Sequence, residues 1–256
     1  MQPEAPRAAP AAYNPAPDLL KDRVVLVTGA GDGLGRATAL ACARHGATVV
    51  LLGRTVKKLE AVYDLVAAEG LAKPAIYPLN LAGATWNDYA EMAATLEREL
   101  GRLDGIVHCA AHFTGFMPLA DVGAREWVES LQVNVTAAFS LTRLCLPLLL
   151  KRDDASIVFA SDPSGRRPKP YRGAYGVAKY ALEGMVQAWA EELEIHPGLR
   201  INTYDPGPMR TRLRVRGYPG EDLQTLPQAD TAVPTLLWLL GADSRGVSGQ
   251  ALTRAG

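Results

Sequence analysis

The sequence predicts an α/β fold, a doubly wound parallel sheet of about seven strands with helices on both faces. Three observations predict it. Strand-like and helix-like patterns alternate along the 256 residues. The strand-like runs are continuously apolar rather than alternating, which is how strands buried on both faces read. A glycine-rich turn joins the first strand to the first helix, where a Rossmann-like sheet keeps its phosphate site.

The first strand is read at 23–28, and the turn that follows is Thr28-Gly29-Ala30-Gly31-Asp32-Gly33-Leu34-Gly35. Its spacing, Gly29-x-x-x-Gly33-x-Gly35, differs from the common G-x-G-x-x-G pattern. Glycines there let backbone N–H groups approach a pyrophosphate at the positive end of a helix. That helix is read at 34–46, with Gly46 at its end, and the second strand at 47–52. Gly53-Arg54-Thr55 follows. NAD enzymes usually keep an acid near this point for the ribose 2′-hydroxyl. Here Arg54, with Lys57 and Lys58 nearby, offers a guanidinium fork for a 2′-phosphate, which favours NADP(H) over NAD(H).

Helix 56–69, strand 74–79, helix 84–101 and strand 103–109 continue the alternation. A long helical stretch at 123–150 is broken or bent in part, and strand 155–161, helix 173–196, strand 198–204, helix 230–241 and strand 249–253 complete it. Segment 205–229, rich in Pro, Gly and Arg, breaks the rhythm and is expected to lie over the site as a substrate lid. Residues 1–18, rich in Ala and Pro and without an apolar core, read as a flexible tail and not a signal peptide, leaving one domain at 19–256.

The formal net charge is zero, so nothing calls for nucleic acid or an anionic membrane surface. The apolar run 144–150 is too short to span a bilayer. Cys42, Cys109 and Cys145 lack metal or disulfide spacing, which fits a reducing cytoplasm. The expected partner is a small-molecule substrate.

Tyr175 and Lys179 are four residues apart, which places a phenol and an ammonium on one face of helix 173–196. A nearby ammonium favours the phenolate, so such a pair can exchange a proton nearer neutral pH.

Taken together, these features resemble the classical short-chain dehydrogenase/reductase family over about residues 20–256, and within it a YciK-like group of bacterial oxidoreductases. The resemblance rests on the Thr28–Gly35 turn, Asn134 in Gln132-Val133-Asn134-Val135, Tyr175 with Lys179, Arg200-Ile201-Asn202 before Pro206-Gly207, and the ending Gly249-Gln250-Ala251-Leu252. It implies hydride transfer between NADP(H) and a small carbonyl or alcohol substrate. Tyr175 would be the general acid, Lys179 would hold the nicotinamide ribose and lower the Tyr175 pKa, and Asn134 would anchor a water of a proton relay. Cofactor contacts would fall on Gly29, Asp32, Gly33, Leu34 and Gly35 at the turn, and on Arg54. Asn80, Leu81 and Ala110 would meet the adenosine half. Pro206, Gly207 and Thr211 would pass along the nicotinamide and the phosphates. Pairing through 123–150 and 173–196 into a homodimer or homotetramer is implied in the same way.

Three departures stand out. The family's catalytic serine lies thirteen residues before the tyrosine, and here that position is Asp162, flanked by Ser161 and Ser164. A carboxylate there raises the phenol's pKa, unless a dry pocket keeps it protonated as a hydrogen-bond donor. Pteridine reductases of the family carry an aspartate at this position, so reduction of C=N is an alternative to C=O. His108-Cys109-Ala110-Ala111 replaces N-N-A-G, and Asn80 replaces a common aspartate. These changes also leave open a weakly catalytic nucleotide-binding sensor. His108 and His112 are read as structural rather than as a metal pair, and Cys109 as an inert thiol. The cations Arg166, Arg167, Lys169 and Arg172, and Arg210, Arg212, Arg214 and Arg216, read first as solvated or contact residues and second as a field that steers an anionic substrate.

Overall fold

The architecture was obtained as a computed structural model that describes residues 7–8, 10, 13–167 and 169–254. The strands are β1 (Arg7–Ala8), β2 (Val24–Thr28), β3 (Thr48–Gly53), β4 (Ala75–Pro78), β5 (Gly105–His108), β6 (Ala155–Ala160), β7 (Leu199–Asp205) and β8 (Ala251–Thr253). All pair in parallel in the order β1-β8-β7-β6-β5-β2-β3-β4. The seven strands β2 to β8 answer the seven read from the sequence. β1 is an addition: Arg7 and Ala8, inside the segment read as a tail, extend the sheet edge against Leu252 and Thr253.

Each central strand sends alternate side chains to opposite faces. Val25 and Val27 join Val49 and Leu51 in a core with α1 (Gly33–Arg44), α2 (Val56–Ala68) and, late in the chain, Val233–Leu240. Val24 and Leu26 join Val50 and Leu52 in a second core with α3 (Trp86–Leu100) and the helices of 137–149 and 173–192. Burial on both faces is why these strands lack polar alternation. The sheet order reverses between β2 and β5, and the crevice beyond their carboxyl ends is where such sheets bind ligands.

The long helical stretch resolves into α4 (Ala124–Leu131), a π-helical turn at Gln132–Thr136 and α5 (Ala137–Leu149). The bend read from the sequence is thus a π-turn, a widening that occurs often at functional sites. α6 is Gly173–Glu192, α7 the short helix Arg212–Gly217 and α8 Val233–Leu240. Among the described residues no helix is long and apolar enough to cross a membrane.

A buried charge cluster locks the far end of the sheet. Asp154 accepts from Arg23, Arg200 and Arg245, and Arg200 is 2% exposed. Burial works against ionisation of Asp154, but the hydrogen bonds from Arg23 and Arg200 outweigh it and hold the carboxyl below its usual range. A depressed folded-state pKa adds stability above the unfolded value of about 4 and loses it as pH falls through the folded value. Asp154→Asn is therefore expected to cost about 3 kcal/mol in urea unfolding near pH 7. The gap from wild type should shrink as pH falls below about 4.

Candidate active site

A cleft of about 670 Å³ opens at the carboxyl ends of β2, β3, β5, β6 and β7. One half is the glycine turn. A Cβ at Gly35 would collide with the Gly29 carbonyl oxygen, and one at Gly29 would come within 3.0 Å of the Ala110 backbone. Gly29 also has φ +69°, so its conformation and its crowding both require glycine. α1 thereby starts hard against the end of β2, with its free N–H groups facing the cleft. Asp32 caps α1 by accepting from Gly33 N at 2.9 Å, and it pairs with Lys58 and, at 3.5 Å, with Arg212. Burial opposes its charge, but Lys58 prevails and holds the carboxyl below its usual range.

Arg54 leaves β3 into the same half and is exposed, with no carboxylate within 4 Å among the described residues. Asn80, Leu81, Ala110 and Ala111 line this half as well. Thr211 lies beside Gly33, with its methyl positioned 3.4 Å from where a Gly33 Cβ would stand, while its hydroxyl caps α7 by accepting from Arg214 N. Pro206 and Gly207 run along the cleft between the two halves, where the Asp205 carboxylate accepts from Gly207 N at 2.9 Å.

The second half is built on α6. Tyr175, Lys179 and Glu183 lie at four-residue spacing and all are buried. Lys179 Nζ donates to Ala160 O at 2.6 Å and lies 5.6 Å from the Tyr175 ring centre. Burial, followed by the charges of Asp162 and Asp205, pushes the Tyr175 phenol well above its usual value, and Arg172 opposes them. Burial also lowers Lys179, against Asp162 and Glu183. Burial is the largest of the causes that act on the phenol, and the two carboxylates follow it, in the direction expected of a carboxylate at position 162.

Asp162 lines the cleft, and one carboxylate oxygen accepts from Ser164 N at 2.8 Å to cap the turn 163–165. Its neighbour Ser161 lines the cleft as well. Ser161 Oγ donates to Glu183, and Ser164 is buried away from the cleft. Glu183 also accepts from Thr203 Oγ1 at 2.7 Å and stands 3.6 Å from Arg166. It clamps the ends of β6 and β7 to α6 and so places Asp162.

Asn134 sits in the π-turn. Its Nδ2 donates to His112 O and Ser130 O, each at 2.9 Å, and its Oδ1 accepts from His112 N. These bonds fix the chain leaving β5. A cavity of about 10 Å³, the size of one water, lies between Asn134, Lys179 and His108. His108 stacks on Phe159, bonds Thr142 and is pushed down to about 3 by burial; His112 instead reaches Glu126 at 2.9 Å. The two imidazoles thus serve different partners. Burial raises the Cys109 thiol to about 12, as an inert thiol requires.

Segment 205–229 contributes Asp205–Met209, Thr211–Arg214 and Arg216–Tyr218 to the lining of the cleft. Arg210 bonds the carbonyls of Leu223 and Gln224, Arg214 pairs with Glu221, and Arg216 reaches Phe113 O at 3.1 Å. Rings run from Tyr175 through Phe113 and Phe116 to Tyr218, with centres 4.9 to 5.1 Å apart.

The short chain dehydrogenase profile matches residues 23–221. The chain belongs to the short-chain dehydrogenase/reductase family. Among similar family members, the uncharacterized oxidoreductase YciK of Escherichia coli K12 is 41% identical over 237 residues, 93% of each chain. A short-chain dehydrogenase structure from Pseudomonas syringae is 46% identical, with a TM-score of 0.92, covering 94% of this chain and 98% of that one. Another, from Escherichia coli CFT073 complexed with NADPH, is 41% identical with a TM-score of 0.89, covering 93% of this chain and 99% of that one.

Sequence reasoning missed Glu183, Asp205 and the aromatic wall. Glu183 had a signal, one helical turn beyond Lys179 on the same face; the wall had none, because irregular segments assemble it. Glu183→Gln is expected to loosen segment 161–167, raising its amide hydrogen exchange about tenfold or more while β2 and α1 keep theirs. Mass-resolved exchange checks this.

Proposed function

We propose that this chain is an NADP(H)-dependent reductase of a small carbonyl compound, with Tyr175 as the proton donor. The observation that carries the reading is the buried Tyr175–Lys179 pair at the edge of a cleft whose other half is a dinucleotide cradle.

The residues present fit that cofactor. The Gly29–Gly35 turn leaves the N-terminal amides of α1 free for a pyrophosphate, and Lys58 and Arg212 offset the Asp32 charge beside it. Arg54 stands after β3 without an acid, suited to a 2′-phosphate, and the relative complexed with NADPH supports the same choice. Asn80, Leu81 and Ala110 would meet the adenosine, and Pro206, Gly207 and Thr211 would border the nicotinamide and phosphates. When bound, NADPH supplies the hydride that reduces the substrate carbon.

Tyr175 Oη gives its proton to the carbonyl oxygen, so the products are the alcohol and NADP⁺ and one proton is drawn from solvent. A phenol pushed upward by burial remains protonated and available as an acid. Lys179, held on Ala160 O, supplies a fixed positive charge under the ring and a donor for the ribose. The water-sized cavity between Asn134 and Lys179 would suit a water of the relay that reprotonates the tyrosine. Helices α4 to α6 carry the exposed Trp127, Val128, Phe139 and Tyr180, which suits pairing of two copies along that side.

A second reading, reduction of C=N, is favoured by one observation: the Asp162 carboxylate lines the cleft with Tyr175, while the hydroxyl of Ser161, which also lines it, is bonded to Glu183. A carboxyl group there suits a ring nitrogen that must be protonated or hydrogen-bonded as its carbon is reduced. A sensor without catalysis has no chemical use for Tyr175, Lys179 and Asn134 in this arrangement.

The test is NADPH oxidation against diketones, aldehydes, ketones and oxidised pterins. Tyr175→Phe is expected to abolish turnover while NADPH still binds, and turnover that survives this change contradicts the reading. Asp162→Ser is expected to keep or improve carbonyl reduction and to damage C=N reduction. Arg54→Gln should weaken NADPH by roughly tenfold or more and leave NADH little changed, as titration of cofactor fluorescence would show.

A further inference from the structure

Four of the basic residues around the cleft are engaged within the protein. Arg166 faces Glu183, Arg212 faces Asp32, Arg214 pairs with Glu221, and Arg210 holds carbonyls of segment 205–229. Arg172 is different. It lines the cleft, and no carboxylate lies within 4 Å of it among the described residues.

Its position is nonetheless fixed. The guanidinium carbon lies 4.1 Å above the Phe116 ring, and Nη2 donates to Tyr218 Oη at 3.1 Å. The backbone is held by the Met117–Arg172 bridge and by Met117 N donating to Tyr171 O at 2.8 Å. Its Cβ packs where a Cβ at Gly176 would come within 2.6 Å. These contacts leave Nε and Nη1 with no protein acceptor among the described residues. Lys169 and Arg216 line the same half; neither has a carboxylate within 4 Å among the described residues, and Arg216 gives only Nη1 to a protein acceptor, Phe113 O. Arg172 precedes Tyr175 by three residues, so its charge lies within one helical turn of the phenol.

The substrate half therefore carries both signs of charge. Asp162, Asp205 and Tyr175 line the cleft together with Arg172, Lys169 and Arg216 and with the apolar Phe113, Phe116 and Leu213. A cation held in place with donors facing a cleft is suited to a planar or tetrahedral oxyanion.

We propose that Arg172, supported by Lys169 and Arg216, is an anion-binding subsite, and that the substrate carries a carboxylate or phosphate away from its reacting carbon. The orientation of the substrate rests on the reductase reading; the subsite itself is testable without turnover.

The experiment compares benzoate, phenyl phosphate and neutral benzamide by calorimetry on protein saturated with NADP⁺, so that the cofactor's own phosphate contacts are filled. At least one anion is expected to bind tenfold or more tightly than benzamide, and which one does so tells carboxylate from phosphate. Arg172→Gln should bring both anions to within about twofold of benzamide with NADP⁺ affinity unchanged. Lys169→Met should weaken the preferred anion severalfold and leave benzamide alone, which keeps the test decisive if Arg172→Gln fails to fold. Anions that bind no better than benzamide, or a preference that survives Arg172→Gln or is untouched by Lys169→Met, overturn the proposal. Failure to bind NADP⁺ contradicts the reductase reading instead, and the same comparison of wild type with Arg172→Gln on the free protein still decides the subsite.

Discussion

One face of α6 governs the site. Tyr175, Lys179 and Glu183 stand on successive turns and are all withdrawn from water. Burying an ammonium and a carboxylate is costly unless each is hydrogen-bonded. Lys179 meets Ala160 O, and Glu183 meets Ser161 and Thr203 with Arg166 close by. The bonds that make this burial tolerable also join the helix to the ends of β6 and β7. The position of Asp162 follows from that clamp, and the electrostatic surroundings of Tyr175 follow from Asp162.

The cleft assembled on this clamp has two electrostatic characters. At the glycine turn, Lys58 and Arg212 pair with Asp32, and Arg54 stands exposed without a carboxylate within 4 Å among the described residues. At the α6 half, burial, Asp162 and Asp205 draw the phenol's titration upward and Arg172 opposes them. Arg216 on Phe113 O and the ring contacts of Phe116 with Tyr218 join segment 205–229 to the chain leaving β5.

The fold was legible because its signals are local. Apolar runs such as Val24–Val27 and Val49–Leu52 show burial on two faces, and Gly29 and Gly35 mark the one turn where backbone must touch backbone. Tyr175 and Lys179 were legible as a helical pair, and Asp162 as a departure at a fixed spacing. What could not be read is how neighbouring groups divide their hydrogen bonds. Ser161 was a candidate hydroxyl until Glu183, 22 residues away, claimed it. Of the two acids that raise the Tyr175 phenol, Asp162 was legible from its spacing, whereas Asp205 was not, because it comes from a different strand. Phe113, Phe116 and Tyr218 meet through irregular segments without periodicity. The π-turn at Asn134 showed only as a bend, since one extra residue per turn leaves almost no trace in a hydrophobic pattern.

The central claim is that Tyr175 is held protonated by burial and by the acids beside it, and so serves as an acid. An ultraviolet difference titration of wild type against Tyr175→Phe measures this directly. The account predicts no tyrosinate from Tyr175 below about pH 10, the ordinary phenol value. A tyrosinate signal that appears near about pH 7 to 8 would mean that Lys179 dominates the phenol, and would contradict it.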